Sequence, residues 1–290
     1  MSVDNDMPIV EFKDICVHSQ RITLIDTGDK QPTIKAQTNN LSAIYDKWTR
    51  KFRKNASSKQ ILSTPKRVLI NNVSGTLLAG QVTLLTGSSG SGKSVLLRVL
   101  AGLLPMSSGE VYLRNDKELN NRSDSSSTGN SSAYHSIYNT PPPEWRARIA
   151  LLAQQPQLLE GTVLENLQIP YRLQAHQHLD FDIDWHIAQL VQLERSADFL
   201  QQAAGYLSGG ERQLVNTLRL LQLNPQVLLL DEPTAALDSD TSAQLVHLLI
   251  DWLRGDAQRS VLWVTHDMQD IMPLADRHWH MQAGVLTEVR

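Results

Sequence analysis

A glycine-rich run joins a short apolar segment of this chain to a longer one, and it reads Gly-x-x-x-x-Gly-Lys-Ser. Val82 to Thr86 before it has the composition of a buried strand, and Val95 to Leu104 after it that of an apolar helix. Glycines in this setting let backbone N–H groups point at phosphate oxygens, aided by the positive end of the helix. A simple Gly/Ser-rich turn would not need these flanks. We therefore predict a phosphate loop made of Gly87, Ser88, Ser89, Gly90, Ser91, Gly92, Lys93 and Ser94.

The last two residues of this loop carry side-chain chemistry of their own. The Lys93 ammonium can neutralise the β- and γ-phosphates of a nucleotide, and the Ser94 hydroxyl can coordinate Mg²⁺. The sequence thus predicts a site for ATP and Mg²⁺.

Two adjacent carboxylates follow a second apolar strand. Asp231 and Glu232 come directly after Val227 to Leu230, where burying two carboxylates is costly unless they serve a cation or a water. We predict that Asp231 holds Mg²⁺ and that Glu232 polarises the attacking water as a general base. His266, at the end of the next strand, is expected to contact the γ-phosphate and Glu232. Taken alone, these carboxylates could simply be solvated groups at the end of a strand. The presence of the other motifs in the same chain disfavours that interpretation.

The strands that end at these motifs predict an α/β fold. Val82 to Thr86, Val227 to Leu230 and Val261 to Thr265 are short and rich in Val or Leu, as expected of parallel strands covered on both faces. In open α/β sheets, ligands bind beyond the carboxyl ends of the strands. The segments Ile9 to Val17 and Val68 to Leu78 suggest an antiparallel part, and Gln168 to Gln202 suggests a helical lobe.

The charge, the cysteine count and the lengths of the apolar segments exclude several classes of protein. The net charge of −3 argues against a dedicated nucleic-acid binder, and a single cysteine rules out an internal disulfide framework. The polar, acidic N-terminus lacks the pattern of a secretory signal. The longest apolar region, Val95 to Met106, is shorter than the roughly 20 residues of a membrane-spanning helix. Any membrane association is therefore expected to come through a partner.

Two stretches resemble insertions. Residues 19–65 are weakly periodic and contain a cluster of lysines and arginines, which suggests a solvated basic loop or short helix, or alternatively a docking arm for a membrane or an acidic partner. Residues 120–143 are rich in serine and end in three prolines, so they are predicted to be a disordered loop.

Three further motifs complete a family pattern. The chain contains Leu207-Ser208-Gly209-Gly210-Glu211, then Thr265-His266-Asp267, and, earlier, Ala153-Gln154-Gln155-Pro156. In this order, with the phosphate loop and Asp231-Glu232, they resemble the ATP-binding cassette (ABC) ATPases. The resemblance implies an α/β fold with a P-loop NTPase (RecA-like) core, an antiparallel β subdomain and a helical signature subdomain at 168–215, all in one ABC ATPase domain over 1–290.

The resemblance also assigns roles. Ser208, Gly209 and Gly210 match the signature that faces the γ-phosphate held by a second subunit. Gln154 matches the glutamine that reaches Mg²⁺ and water and senses the membrane partner, with Gln155 the less favoured choice. His266 matches the switch histidine, and Ala236-Leu237-Asp238 matches the loop that joins the two sites.

The function implied is ATP hydrolysis coupled to transport. Two copies would sandwich two ATP molecules and drive a separate integral membrane permease, with the chain peripheral at the cytoplasmic face of the bacterial inner membrane. The runs Ala153 to Leu167 and Val261 to Asp267 are similar to bacterial iron-export (Fet-type) ATPase subunits. The alternative is a soluble cassette acting in DNA maintenance or on ribosomes, but the long coiled coil or second cassette typical of those is not evident.

The adenine contact and the paired histidines each have alternative interpretations. The family stacks adenine on an aromatic residue near the end of the first strand, where this chain has Ser19, so His18, Tyr45 or Trp48 are the alternatives. The pairs His278/His280 and His176/His178 lack the carboxylate or cysteine company of a metal site, and we interpret them as surface or packing histidines.

Overall fold

Ten β-strands and six α-helices form the described part of the computed structural model, which covers residues 7–19, 67–115, 133–235, 237–266, 268 and 271–289. The strands are β1 (Val10–Ser19), β2 (Arg67–Leu77), β3 (Val82–Thr86), β4 (Ser108–Arg114), β5 (Tyr134–Ser136), β6 (Ile149–Leu152), β7 (Val227–Asp231), β8 (Ser260–Val264), β9 (Arg277–Gln282) and β10 (Val285–Val289). The helices are α1 (Lys93–Leu100), α2 (Pro142–Arg148), α3 (Val163–Gln168), α4 (Ile183–Gln192), α5 (Gly209–Leu221) and α6 (Ser239–Arg254).

The chain divides into two units, residues 1–18 with 68–290 and residues 19–67. Nearly all of the second unit, and with it the predicted basic insertion, lies outside the described residues. Ala236 and Asp267, quoted above within motifs, lie outside them too.

The larger sheet confirms the predicted α/β fold. Its strand order is β10-β9-β3-β8-β7-β6, and the pairs β9–β3, β3–β8, β8–β7 and β7–β6 are all parallel. Every residue of β3, β7 and β8 is buried, which explains their continuous Val and Leu composition. Because β3, β8 and β7 are neighbours, the three motifs that follow them meet at one edge of the sheet.

Alternate residues of these strands feed two hydrophobic clusters on opposite faces of the sheet. Leu84, Leu230 and Trp263 belong to the cluster that includes residues of α4, α5 and α6. Leu85 and Leu229 belong to the cluster that includes α1, β1 and β4. The two-residue period of a strand therefore ties both layers of helices to the same backbone.

The smaller sheet is the predicted antiparallel part. Its order is β2-β1-β4-β5, with β1 antiparallel to β4 and β4 antiparallel to β5. The predicted bounds of β1 and β2 are within two residues of those observed.

Helix α1 ends four residues before the predicted Leu104. The Leu103 N–H bonds the Arg98 carbonyl and the Gly102 N–H bonds the Val99 carbonyl, which is the Schellman pattern. Gly102 has φ +66°, a left-handed conformation that glycine adopts without strain. After it, Leu104 and Met106 pack against the core without continuing the helix, whereas Leu103 is exposed.

The predicted disordered segment extends too far, because residues 133–143 are ordered. Tyr134–Ser136 pairs with β4, the Tyr134 hydroxyl donates to the Pro8 carbonyl at 2.9 Å, and α2 begins at Pro142. The prolines that suggested disorder instead begin a helix, since the fixed φ of proline suits the first turn. Residues 120–132 lie outside the described part.

The described residues on either side of 116–132 are hydrogen-bonded to each other. Asn115 donates its N–H to the Ala133 carbonyl at 2.9 Å, which continues the ladder in which Arg114 faces Tyr134.

We expect that replacing residues 116–132 by Asn-Gly, a favoured two-residue hairpin turn, leaves the free energy of unfolding within about 1 kcal/mol of the parent. Urea unfolding of both proteins measures this. A longer deletion through Ser136 removes β5 and serves as the destabilised control; equal losses in the two variants would contradict the prediction.

Helical structure dominates residues 163–221, as predicted for 168–202. Between the α-helices lie four short 3₁₀ segments: Ile169–Arg172, Gln174–His176, Ala197–Gln201 and Ala204–Tyr206. None of the helices in the described ranges combines the length and apolarity needed to cross a membrane.

Candidate nucleotide site

The phosphate loop occupies the turn between β3 and α1. The strand ends at Thr86 and the helix begins at Lys93, with Gly92 as its N-cap. All three glycines of the loop have positive φ, between 74° and 143°. Ser88, Ser89 and Gly90 are exposed at its tip, whereas Ser91 and Lys93 are buried.

The strand β9, which lies behind the loop, requires glycine at position 87. A Cβ atom at this position would lie 2.1 Å from the carbonyl oxygen of Met281 in β9. The turn after β9 also reaches the loop, since the Gly284 N–H donates to the Ser91 carbonyl at 2.9 Å. Gly90 differs, because a Cβ there would meet no atom within 4 Å. The loop is thus shaped from behind by the β9–β10 hairpin and open at its tip.

This difference predicts unequal effects of two alanine substitutions. Gly87→Ala combines a backbone clash with an unfavourable φ, so we expect a loss of about 3 kcal/mol or more in the free energy of unfolding. Gly90→Ala adds only the left-handed strain, about 1–2 kcal/mol. Urea denaturation of the two variants beside the parent checks the order; a Gly87→Ala protein as stable as Gly90→Ala would show that β9 does not constrain the loop.

The Lys93 ammonium folds back over the loop. It donates to the carbonyl oxygens of Gly87 at 2.7 Å and Ser88 at 3.1 Å. Burial lowers the pKa of Lys93, while the Glu232 and Asp231 carboxylates oppose that shift. The ammonium is therefore buried against the carbonyl oxygens of its own loop, with the Asp231 and Glu232 carboxylates near it.

Ser94 and Asp231 bring two oxygen atoms together beside the loop. The Ser94 hydroxyl donates to Asp231 Oδ1 at 3.0 Å, and Asp231 is 8% exposed at the end of β7. Hydroxyl and carboxylate oxygens are hard donors that suit Mg²⁺, which also keeps several waters or phosphate oxygens in its shell. The two side chains fit an ion of this kind.

Glu232 has an unusual backbone that directs its carboxylate. Its φ is +52°, uncommon for a non-glycine residue, and its N–H is held by the Val264 carbonyl at 2.9 Å. One carboxylate oxygen accepts from Gln154 Nε2 at 2.9 Å, and the other lies 2.8 Å from His266 Nε2. A carboxylate that is held by an amide and an imidazole at the carboxyl ends of the strands can orient a water and accept its proton.

The structure brings most of the predicted residues together at this edge. Gln154 rather than Gln155 contacts Glu232, although both glutamines are exposed. The left-handed backbone of Glu232 and the support from Met281 were missed, because neither leaves a signal in a single sequence.

The signature residues form a separate group at the start of α5. The Ser208 hydroxyl accepts from the Glu211 N–H at 3.2 Å, and the Glu211 carboxylate accepts from the Ser208 N–H at 2.8 Å, a capping box. A Cβ at Gly210 would lie 3.3 Å from Thr241, while one at Gly209 would face open space. The contacts described for these residues run to α5, to Thr241 of α6 and to Leu237. Ser208 and Gly209 are exposed.

Asp238 caps the helix that follows the β7 motif. Its carboxylate accepts from the backbone N–H and the hydroxyl of Thr241, both at 2.9 Å. These bonds lower the pKa of Asp238. The predicted subunit-joining loop is therefore fixed at one end by a helix cap.

The two histidine pairs occupy packing and surface positions. Thr86 Oγ1 lies 2.8 Å from His278 Nε2 and 3.2 Å from His280 Nδ1, so this pair packs against the end of β3. His176 is buried, whereas His178 is exposed. His18 is the last residue but one of β1 and donates its N–H to the Ser107 hydroxyl. The other candidates for adenine stacking, Tyr45 and Trp48, lie outside the described residues.

Comparison with known proteins places this geometry in context. A family model described as "ABC transporter" matches residues 70–235. The chain is 32% identical over 232 residues to the probable iron export ATP-binding protein FetA of Escherichia coli, across 77% of this chain and 89% of that protein. It is also 32% identical over 222 residues to the sn-glycerol-3-phosphate import ATP-binding protein UgpC of Bartonella bacilliformis, across 76% of this chain but only 57% of that protein.

The fold is similar to that of a solved ATP-binding cassette. The structure described as a dimeric, post-hydrolysis state of a cassette bound to ADP and Pi aligns with a TM-score of 0.65 over 97% of this chain and 99% of that one. The sequences are 21% identical, so this likeness concerns the fold alone.

Proposed function

The chain belongs to the ABC transporter family, and from this premise we propose that it is the ATP-hydrolysing subunit of a transporter that works with a separate membrane permease. The chain is an ATPase of this family. The observation that carries the proposal is the cluster at the sheet edge, where the Glu232 carboxylate is held by Gln154 and His266 and Asp231 bonds Ser94.

ATP binding is assigned to the phosphate loop. The backbone N–H groups of Gly87 to Ser94 and the N-terminus of α1 would surround the phosphates, with Lys93 adding a positive charge. Mg²⁺, which would neutralise phosphate charge, would be held by Ser94 and Asp231, with Gln154 near it. Each assignment uses the side-chain position described above.

Hydrolysis is assigned to the groups around Glu232. The carboxylate would accept a proton from the attacking water, and Gln154 and His266 would fix its orientation. His266 is also accessible, with 49% of its side chain exposed, so it can reach a γ-phosphate.

The signature supports a second copy as partner. Ser208 and Gly209 are exposed at the N-terminus of a 13-residue helix, the end at which anions bind favourably. We assign them, with Gly210, to the γ-phosphate of the nucleotide bound by the other copy. Each of the two ATP molecules would then be enclosed by a phosphate loop from one chain and a signature from its partner.

The permease and the cargo complete the proposal. We assign the chain to the cytoplasmic face of the bacterial inner membrane, held there by the permease. We propose that the cargo is iron and that it is exported. The similarity to the E. coli protein extends over 89% of that relative, whereas the glycerol-3-phosphate relative is matched over only 57% of its length.

Affinity purification with the ATP-bound chain tests the proposal. Tagged Glu232→Gln protein would be purified from detergent-solubilised membranes with ATP and Mg²⁺, and its partners identified by mass spectrometry. A polytopic membrane protein in stoichiometric amount is the expected result. Ribosomes or nucleic acid in its place would overturn the transport assignment in favour of a soluble regulator, and tagged Lys93→Ala protein controls for nucleotide-independent capture.

A further inference from the structure

An aromatic ring stands almost wholly in water beside the signature residues. The Tyr206 side chain is 93% exposed, the highest value among the large apolar and aromatic side chains that the structure describes. Tyr206 lies two residues before Ser208, so the Cα atoms of the two residues are at most about 7.6 Å apart. Aromatic rings contribute strongly to binding when a partner covers them, so this ring adds an apolar contact next to the signature.

The backbone that carries the ring is held by hydrogen bonds. The Arg212 guanidinium donates from Nη2 to the Gly205 carbonyl at 3.0 Å and from Nε to the Leu207 carbonyl at 3.1 Å, one on each side of Tyr206. The Tyr206 N–H donates to the Ala203 carbonyl at 3.0 Å. The ring is therefore exposed on a fixed backbone, and a partner that covers it would not have to order this segment first.

The surface next to the ring is clear of side chains. A Cβ atom at Gly205 or at Gly209 would meet no other atom within 4 Å, and neither glycine has a positive φ. This chain alone therefore has space for a side chain at both positions. The two glycines leave room for a second molecule to approach Tyr206 and Ser208 together.

The position of Tyr206 favours a nucleotide base as the group that covers it. This inference rests on the proposed function, in which Ser208 and Gly209 meet the γ-phosphate of the ATP held by the other copy. The ribose and the base of that ATP extend beyond its phosphates, so the surface that continues from the signature faces them. Within the chain that binds the phosphates, β1 ends in His18 and Ser19 and not in a tyrosine or tryptophan.

We propose that the Tyr206 ring of each copy stacks on the base of the nucleotide bound by the other copy. The contact makes the association of two copies depend on the base as well as on the triphosphate. Every base has a π-face, but a purine offers a larger one than a pyrimidine, so ATP should bring two copies together at a lower concentration than CTP does.

Analytical ultracentrifugation of the Glu232→Gln chain with Mg²⁺ tests the proposal, because it gives the nucleotide concentration at which half of the copies are associated. Adding Tyr206→Ala should raise that concentration for ATP at least about fivefold and remove the advantage of ATP over CTP. Tyr206→Phe, which keeps the ring, should restore both. Tyr138→Ala is the matched control, since Tyr138 is a 65% exposed tyrosine that follows β5 of the smaller sheet, and it should change neither.

Photolabelling with 2-azido-ATP locates the base. In the Glu232→Gln chain the label should enter the tryptic peptide 196–212, which contains Tyr206, only at protein concentrations at which the copies associate. Label in that peptide of dilute, unassociated protein would place the base on the same chain and overturn the proposal.

The outcomes separate this inference from the proposed function. If the Glu232→Gln chain does not associate with ATP, the enclosure of ATP by two copies is wrong, and the inference fails with it. If that chain associates and Tyr206→Ala has no effect, the inference alone is wrong. Circular dichroism of the Tyr206→Ala protein shows that a weaker association does not come from unfolding.

Discussion

Glu232→Gln is expected to lower the rate of ATP hydrolysis by about 10²–10⁴-fold while ATP still binds, because the change removes a general base and little else. The glutamine has the same shape, so its side chain can still meet Gln154 and His266, but it cannot accept a proton from water. Trapped ATP should then hold two copies together. Steady-state phosphate release and size-exclusion chromatography with ATP and Mg²⁺ measure the two effects.

Glu144→Gln is the matched control for this change. Glu144 is an exposed carboxylate in the first turn of α2, and its neutralisation should leave both hydrolysis and association unchanged. Glu232→Gln protein that turns over ATP at the parent rate would remove Glu232 from the role of general base. A normal rate together with an intact fold would direct attention to His266 as the proton acceptor.

Lys93→Ala should weaken ATP binding by about 30-fold or more. Loss of the ammonium removes a charged hydrogen-bond donor to phosphate, worth about 2 kcal/mol, and also leaves the Asp231 and Glu232 carboxylates without their nearby cation. Equilibrium binding of a fluorescent ATP analogue gives the dissociation constant directly. Because Lys93 also holds the Gly87 and Ser88 carbonyls, a smaller loss of stability is expected and should be recorded by thermal unfolding.

Arg98→Ala provides the comparison for Lys93. Arg98 is an exposed cation on the same helix, one turn beyond the loop, so its removal tests whether any positive charge on α1 suffices. Affinity for ATP should stay close to that of the parent. An equal loss in both variants would mean that Lys93 acts through the general field of the helix and not through contact with phosphate.

Local patterns predicted much of this fold. The strand Val82–Thr86 was predicted to the residue, because an apolar run between a turn and a glycine-rich loop has few alternatives. Order in residues 133–143 could not be predicted, since β5 depends on pairing with β4 rather than on its own composition. The end of α1 at Gly102 was predicted too late, because the apolar pattern continues after the helix stops.

The residues of the site could be predicted from the sequence, but the backbone geometry and the contacts that hold them could not. Asp231, Glu232 and His266 stand at strand ends, so the topology alone brings them to one edge. The positive φ of Glu232 arises from the turn after β7, and the shape of the loop at Gly87 from a strand almost at the other end of the sequence. Such long-range constraints appear only when the sheet is assembled.

The contact between Gly87 and β9 has a consequence for how the protein is made. On the ribosome the phosphate loop leaves the exit tunnel long before Met281 and Gly284, the residues that support it from behind, have been synthesised. We therefore expect the loop to take its final shape only after the β9–β10 hairpin has joined the sheet. ATP, which stabilises only a state that binds it, would then act late in folding and not on the growing chain.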